Sequence, residues 1–218
     1  MLFLDLEFYV PVDDRNKRRS SLIVNPALPE HILLGGCFFS KMLKDSIPRN
    51  AKLDGFWIWD YGNETELLNA IKSRFEQEWQ KIKQEGVWIL GKPLEDLVLC
   101  GSGISRFDIP ALYCRGVHRQ IESPSVLFDL FLKTKQIDLA NVGCFLFPDD
   151  LTLYPKTTRE MAGRLRTVES KASSKGVWDA YDQKDYDYIE NRTEGELRTV
   201  FQIYNKIQER IRSLPRAR

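Results

Sequence analysis

Two carboxylates, Asp5 and Glu7, stand two residues apart in the apolar run Leu2–Tyr9 (LFLDLEFY). Side chains alternate along a strand, so Leu2, Leu4, Leu6 and Phe8 share one face and Phe3, Asp5, Glu7 and Tyr9 the other. A run this apolar and aromatic reads as a strand in the middle of a sheet. Two acids side by side there repel each other, and each is costly to desolvate. Divalent cations relieve both penalties, because residues two apart direct their oxygens at one point. The plainer reading is a half-solvated strand that merely carries two acids. Further acids stand where helices are expected to open: Asp108 ahead of Ile109-Pro110, and Glu194 and Glu196 at the start of the last helix. Capping is the ordinary role of an aspartate such as Asp108. Carboxylates from separate elements converging on one strand are also what a two-metal phosphodiester site requires. One ion activates the attacking water and the other stabilises the leaving oxygen, about 4 Å away. With His31 and His118 the only histidines, histidine-rich zinc sites are excluded, and oxygen ligands select magnesium or manganese.

Composition bounds the rest. The chain has 218 residues, 43% apolar and 29% charged, enough for a sizeable core and ordinary for a globular protein. Its net charge of +1 implies no bulk attraction to nucleic acid. The run Arg15, Lys17, Arg18, Arg19 is a local basic cluster, most simply a solvated hairpin tip and alternatively a phosphate contact. Cys37, Cys100, Cys114 and Cys144 lack metal-finger spacing, and Cys100 and Cys144 sit in apolar runs as buried thiols. The N-terminus has no basic region ahead of its apolar run, and no stretch reaches membrane-span length. These features predict a reduced, cytoplasmic protein with no membrane partner.

The elements that must position the acids are read in order. Ser21–Asn25 is expected as a second strand, and Asn25–Asn50 as loop with at most a short strand or turn at Cys37–Ser40, given Pro26, Pro29 and Gly35-Gly36. Phe56–Asp60 reads as a third strand. Glu64–Glu85 is a helix, with Leu67, Leu68, Ile71, Phe75, Trp79 and Ile82 on one stripe. Leu97–Gly101 is a short buried strand, and the turn Gly101-Ser102-Gly103 leads towards Asp108. The paired glycines lack a phosphate-loop pattern, which argues against a nucleotide cofactor. Val126–Leu132 reads as a strand, Ile137–Leu139 as the start of a short element, and Gly143–Phe147 as a hydrophobic run. Thr157–Leu165 reads as a helix and Glu169–Lys184 as a polar loop. The last helix runs from Thr193/Glu194, striped by Leu197, Val200, Phe201, Tyr204, Ile207 and Ile211, into a basic tail. This pattern predicts an α/β fold in a single domain spanning 1–218.

Three ordered segments carry a resemblance: Phe3-Leu4-Asp5-Leu6-Glu7, Arg106-Phe107-Asp108-Ile109-Pro110-Ala111-Leu112 and Thr193-Glu194-Gly195-Glu196-Leu197. Together they resemble the motifs of the DEDD 3′–5′ exonucleases, ribonuclease H-like enzymes that include polymerase proofreading domains. The likeness extends in particular to predicted exonucleases related to the proofreading domain of family B polymerases, whose second motif reads FD-x-P. The resemblance implies a ribonuclease H-like mixed sheet flanked by helices, and two-metal hydrolysis of single-stranded or short nucleic acid from its 3′ end. It implies two magnesium or manganese ions held by Asp5, Glu7, Asp108 and Glu196, with Glu7 near the attacking water. Glu194 competes with Glu196 for the last ligand. Phe8 and Phe107 are candidates to stack on terminal bases, against a plainer role in the core.

The chain also departs from that pattern. Counting back from Glu196, the places of the family's histidine or tyrosine hold Asn191 and Arg192. A literal YxxxD runs from Tyr181 to Asp185, and Tyr186 to Glu190 makes a YxxxE, both placed ahead of the amphipathic run. Gly103, Ile104 and Ser105 stand where the family often has an asparagine. The general base and the fourth ligand thus stay open. A catalytically silent ribonuclease H-like module that binds nucleic acid or protein is the alternative. A metal-dependent phosphatase acting on small molecules is a weaker third reading.

Overall fold

The computed structural model describes residues 1–16, 23–42, 45–48, 50–85, 88–89, 92–93, 96–146, 158–165 and 175–213. Strand β1 (Leu2–Tyr9) is followed by a 3₁₀ turn (Val12–Asp14), β2 (Ile32–Ser40), β3 (Asp54–Trp57), the single turn α1 (Ile58–Tyr61) and the long α2 (Glu64–Glu85). A two-stranded ribbon, β4 (Trp88–Ile89) and β5 (Lys92–Pro93), precedes β6 (Val98–Gly101) and α3 (Asp108–His118). Then come α4 (Pro124–Leu127), which runs on into a π-helical turn (Phe128–Leu132), and β7 (Lys135–Asp138). Helices α5 (Leu139–Leu146), α6 (Thr158–Arg164), α7 (Lys175–Gln183) and α8 (Tyr186–Ser213) complete the described elements.

The main sheet has the order β3-β2-β1-β6-β7. Its first three strands pair antiparallel, whereas β1, β6 and β7 pair parallel. This α/β arrangement, a mixed sheet flanked by helices, is compatible with a ribonuclease H-like fold. β1 lies at its centre with alternating faces. Leu2, Leu4, Leu6 and Phe8 belong to the core formed with α2, α3 and the segment 124–132. Phe3 belongs to the opposite core, with α6, α7 and α8. Asp5 and Glu7 therefore lie on the α8 side of the sheet. No described helix is long and apolar enough to cross a membrane.

Several elements differ from the expectation. The largest is β2, a nine-residue strand where loop with at most a short strand or turn at Cys37–Ser40 was expected. Its glycine pair acts inside the sheet: Gly35 has φ +130°, and a Cβ there would lie 1.9 Å from the Phe56 carbonyl oxygen. The β1–β2 register shifts between Glu7 and Phe8, so the glycines serve a bulge and a close approach of backbones. Residues 23–25 are not strand, and 21–22 lie outside the described residues, as do Lys17, Arg18 and Arg19. β3 ends at Trp57 and the chain turns helical, so Phe56–Asp60 divides between two elements. Val126–Leu132 is helical: Leu127, Leu130 and Phe131 are buried at helical spacing, after Pro124 in the first turn. A short apolar run fits either period, and here the proline decided it. Lys175–Gln183 is helix where loop was expected, while 169–174 lie outside the described residues. Finally, α8 begins at Tyr186, two turns earlier than expected, because the Asp185 carboxylate accepts the Tyr188 N–H at 3.2 Å and caps it.

Candidate metal centre

The centre is built where α8 crosses the α8-facing side of β1. Ile189, Thr193, Glu196, Leu197, Val200, Ile203, Tyr204 and Ile207 make the buried stripe of α8, so helical period turns Glu196 inward among apolar neighbours. Period-2 alternation brings Asp5 and Glu7 to the same place. One ligand oxygen from each of Asp5, Glu7 and Glu196 lies within 4.8 Å of the others. The three residues are only 6%, 7% and 6% exposed. Among the described residues, Asp5 Oδ2 is buried with no hydrogen-bond partner.

The acids do not converge alone. Arg192, one turn before Glu196 on α8, extends its guanidinium between two of them, pairing through Nη1 with Glu7 Oε1 and through Nη2 with Glu196 Oε1 at 2.6 Å. Its side chain is as buried as theirs, 6% exposed. Burial opposes its charge, yet Glu7, Glu196 and Asp5 together outweigh that and hold it protonated above the usual arginine range. Thr193 Oγ1, on the same face, lies 3.4 Å from Glu7 Oε1 and donates to the Ile189 carbonyl. The field of the cluster reaches the neighbouring strand. Cys37, the cross-strand partner of Asp5, has its thiol pushed upward by burial first and then by Glu194, Asp5, Glu190 and Glu7.

Asp108 arrives from another direction. It occupies the first turn of α3, and its Oδ1 accepts the Leu6 N–H at 3.2 Å, on the peptide that joins Asp5 to Leu6. β6 pairs with β1 only at Leu2 and Phe3, so beyond it this N–H is left to Asp108. The carboxylate thus lies against the β1 backbone between the two acids, but it is outside the group of three whose oxygens converge. The turn that delivers it is held by Asp138, at the end of β7. The Asp138 carboxylate accepts Gly103 N–H (2.8 Å), Ser105 N–H (3.0 Å), Ser105 Oγ–H (2.5 Å) and Ala140 N–H (3.0 Å).

The competing carboxylates have other partners. Asp185 caps α8, Glu194 lies 3.6 Å from Arg198, and Glu190 accepts the Trp59 indole N–H at 2.8 Å. Phe8 is a correction: it is 4% exposed and packs edge-on against Phe107 at 5.0 Å, so it has no face to offer a base. Phe107 is half-buried against it. Arg15, from the basic run, is also engaged, with Asp179 at 3.0 Å and Asp182 at 2.7 Å. Sequence reasoning named Arg192 only as a place where a base was missing. A cation one turn before an inward glutamate was the available signal.

As donors, the three carboxylates fit a hard divalent ion, and Asp5 Oδ2, without a hydrogen-bond partner among the described residues, is an atom such an ion would satisfy. The fit is partial at the other end, where the guanidinium already bridges Glu7 and Glu196. The chain matches no model of a known protein family and no curated protein.

Proposed function

We propose that this protein is a magnesium- or manganese-dependent 3′–5′ exonuclease that hydrolyses phosphodiester bonds of single-stranded or short nucleic acid. One observation carries the reading: buried Asp5, Glu7 and Glu196, from β1 and α8, bring their oxygens within 4.8 Å of one another. Ionised acids this close and this dry need cations. When bound, a divalent ion lowers the pKa of water and offsets charge on a phosphodiester. Asp5, Glu7 and Glu196 would hold it, and Asp108, against the β1 backbone, would be the fourth acid of the site. The partner is the 3′ end of DNA or RNA. The setting is a reduced, cytoplasmic one, in keeping with the unpaired thiols of Cys37, Cys100 and Cys114.

The test is direct. With 5′-labelled DNA and RNA oligonucleotides and manganese, the label should run as a ladder shortening from the 3′ end. Chelator and Asp5→Asn should each reduce this to background. Intact label with every divalent metal tried would remove the activity.

Arg192 favours a second reading, a catalytically silent module that binds nucleic acid or protein. A guanidinium pairing Glu7 with Glu196 already supplies positive charge where hydrolysis asks for an ion. Oligonucleotide binding without turnover, unchanged in Asp5→Asn, would select it.

A further inference from the structure

We infer that Arg192 is a tethered counter-cation that holds one cation position of the three-acid cluster, the one between Glu7 and Glu196, so the native chain takes up a single divalent ion, at the Asp5 end of that cluster. The inference rests on the metal-binding part of the function proposed above and states its regulation. By formal charge, three carboxylates and one guanidinium leave two negative charges in this buried cluster. That charge is unevenly covered. The planar fork of arginine suits two carboxylates at once, and here it reaches Glu7 on β1 and Glu196 on α8. An ion bridging these two acids would need their oxygens at about 2.0–2.6 Å. Arg192 Nη2 already lies 2.6 Å from Glu196 Oε1, and an ion in that place would also press against the guanidinium charge.

Asp5 differs. Among the described residues it forms no ion pair with Arg192, and its Oδ2 is buried with no hydrogen-bond partner. An uncompensated carboxylate oxygen in a dry site is the place where a divalent ion gains most. One end of the cluster thus has a covalently attached cation, and the other awaits one from solution. Displacing the guanidinium would open the second position, which makes Arg192 a built-in brake on loading.

The experiment counts Mn²⁺ bound per full-length chain by electron paramagnetic resonance and calorimetry, for the native protein, Arg192→Gln and Arg192→Lys. The native chain should bind about one ion. Arg192→Gln should bind about two, or hold the first about tenfold more tightly, because a competing cation is gone. Its metal-free form should melt lower than native, and Mn²⁺ should raise its melting temperature by more than it raises the native one. Arg192→Lys keeps a charge without the fork and should fall between. Equal stoichiometry, affinity and Mn²⁺-induced melting shift in native and Arg192→Gln protein overturns the inference while leaving metal binding intact. Two ions on the native chain also overturn it. An ion bound by Arg192→Gln alone overturns the inference, which places one ion on the native chain, and also removes the proposed activity. No ion on either protein removes both.

A measurement on the native protein covers the case in which the glutamine variant does not fold. The Arg192 Nε–H resonance should exchange slowly in the metal-free protein, because the side chain is buried, and should persist through a Mg²⁺ titration. Its collapse to the behaviour of an exposed arginine would show that the ion displaces the guanidinium, against the inference.

Discussion

At the scale of single residues, the acids divide by what surrounds them. Asp5 and Glu7 were legible from alternation alone, because an acid flanked by leucines on a central strand must face something other than the core. Glu196 was legible only as one candidate beside Glu194 and Asp185, with helical register and the family resemblance placing it first. Arg192 was not, since its role depends on α8 lying against β1, which no local pattern states. Asp138 was equally hidden: its sequence context reads as the start of a short element, and only the folded chain shows it ending β7 with four donors converging on it. We expect Asp138→Asn to destabilise the protein by about 1–3 kcal/mol, because an amide cannot accept from all four and leaves a buried donor unmet. Urea unfolding measures the loss. Faster amide exchange at Gly103 and Ser105 should accompany it, marking the loosened turn that carries Asp108. Unchanged protection at those amides would show that the turn is held by other means.

At the scale of elements, reading succeeded where periodicity was long and failed where it was short or broken by glycine. The 22 residues of α2 carry an unambiguous stripe, and the structure has that helix at the expected bounds. The sequence of β2 reads as loop, with at most a short strand or turn at Cys37–Ser40, because Gly35-Gly36 is ordinarily turn chemistry. Inside a sheet the same pair allows β2 to bulge opposite Glu7 and Phe8 and to accept β3 at close range. α8 was started too late because its first two turns are polar, and a polar turn has no stripe to read. That error hid Arg192, which lies in the stretch left out. The glycine argument has a consequence. Gly35→Ala would place a Cβ 1.9 Å from a backbone oxygen at a φ of +130°. It should lower stability by more than about 1 kcal/mol, measured by thermal melting. Because Gly35 faces Glu7 across the ladder, Mn²⁺ affinity should fall with it. A variant that melts like the native protein would mean that β3 can yield.

At the scale of the whole molecule, residues distant in sequence hold the far end of β1. Arg15 pairs with Asp179 and Asp182 of α7, Tyr9 donates to Asp182 at 2.7 Å, and the Trp178 indole N–H donates to the Phe8 carbonyl at 2.9 Å. This clamp fastens α7 to the end of β1 that carries Glu7, and it makes a pH-dependent contribution. Burial raises the Asp182 carboxyl somewhat, but the hydrogen bonds from Tyr9 and Arg15 outweigh it and hold it below its usual 3.8. A carboxyl with a depressed folded value contributes stability that is present above the unfolded value and is lost as pH falls through the folded one. Asp182 is partly exposed, so solvent screening keeps the contribution under about 1 kcal/mol. The native protein should therefore exceed Asp182→Asn in stability by a constant margin from neutral pH down to about pH 4. Below that the margin should close as the Asp182 carboxyl is protonated and becomes neutral like the amide. Urea melts of the two proteins along the pH series measure it. A margin that persists undiminished in acid would assign the effect to packing of Tyr9 and Trp178 under α7 instead of to the charge on Asp182.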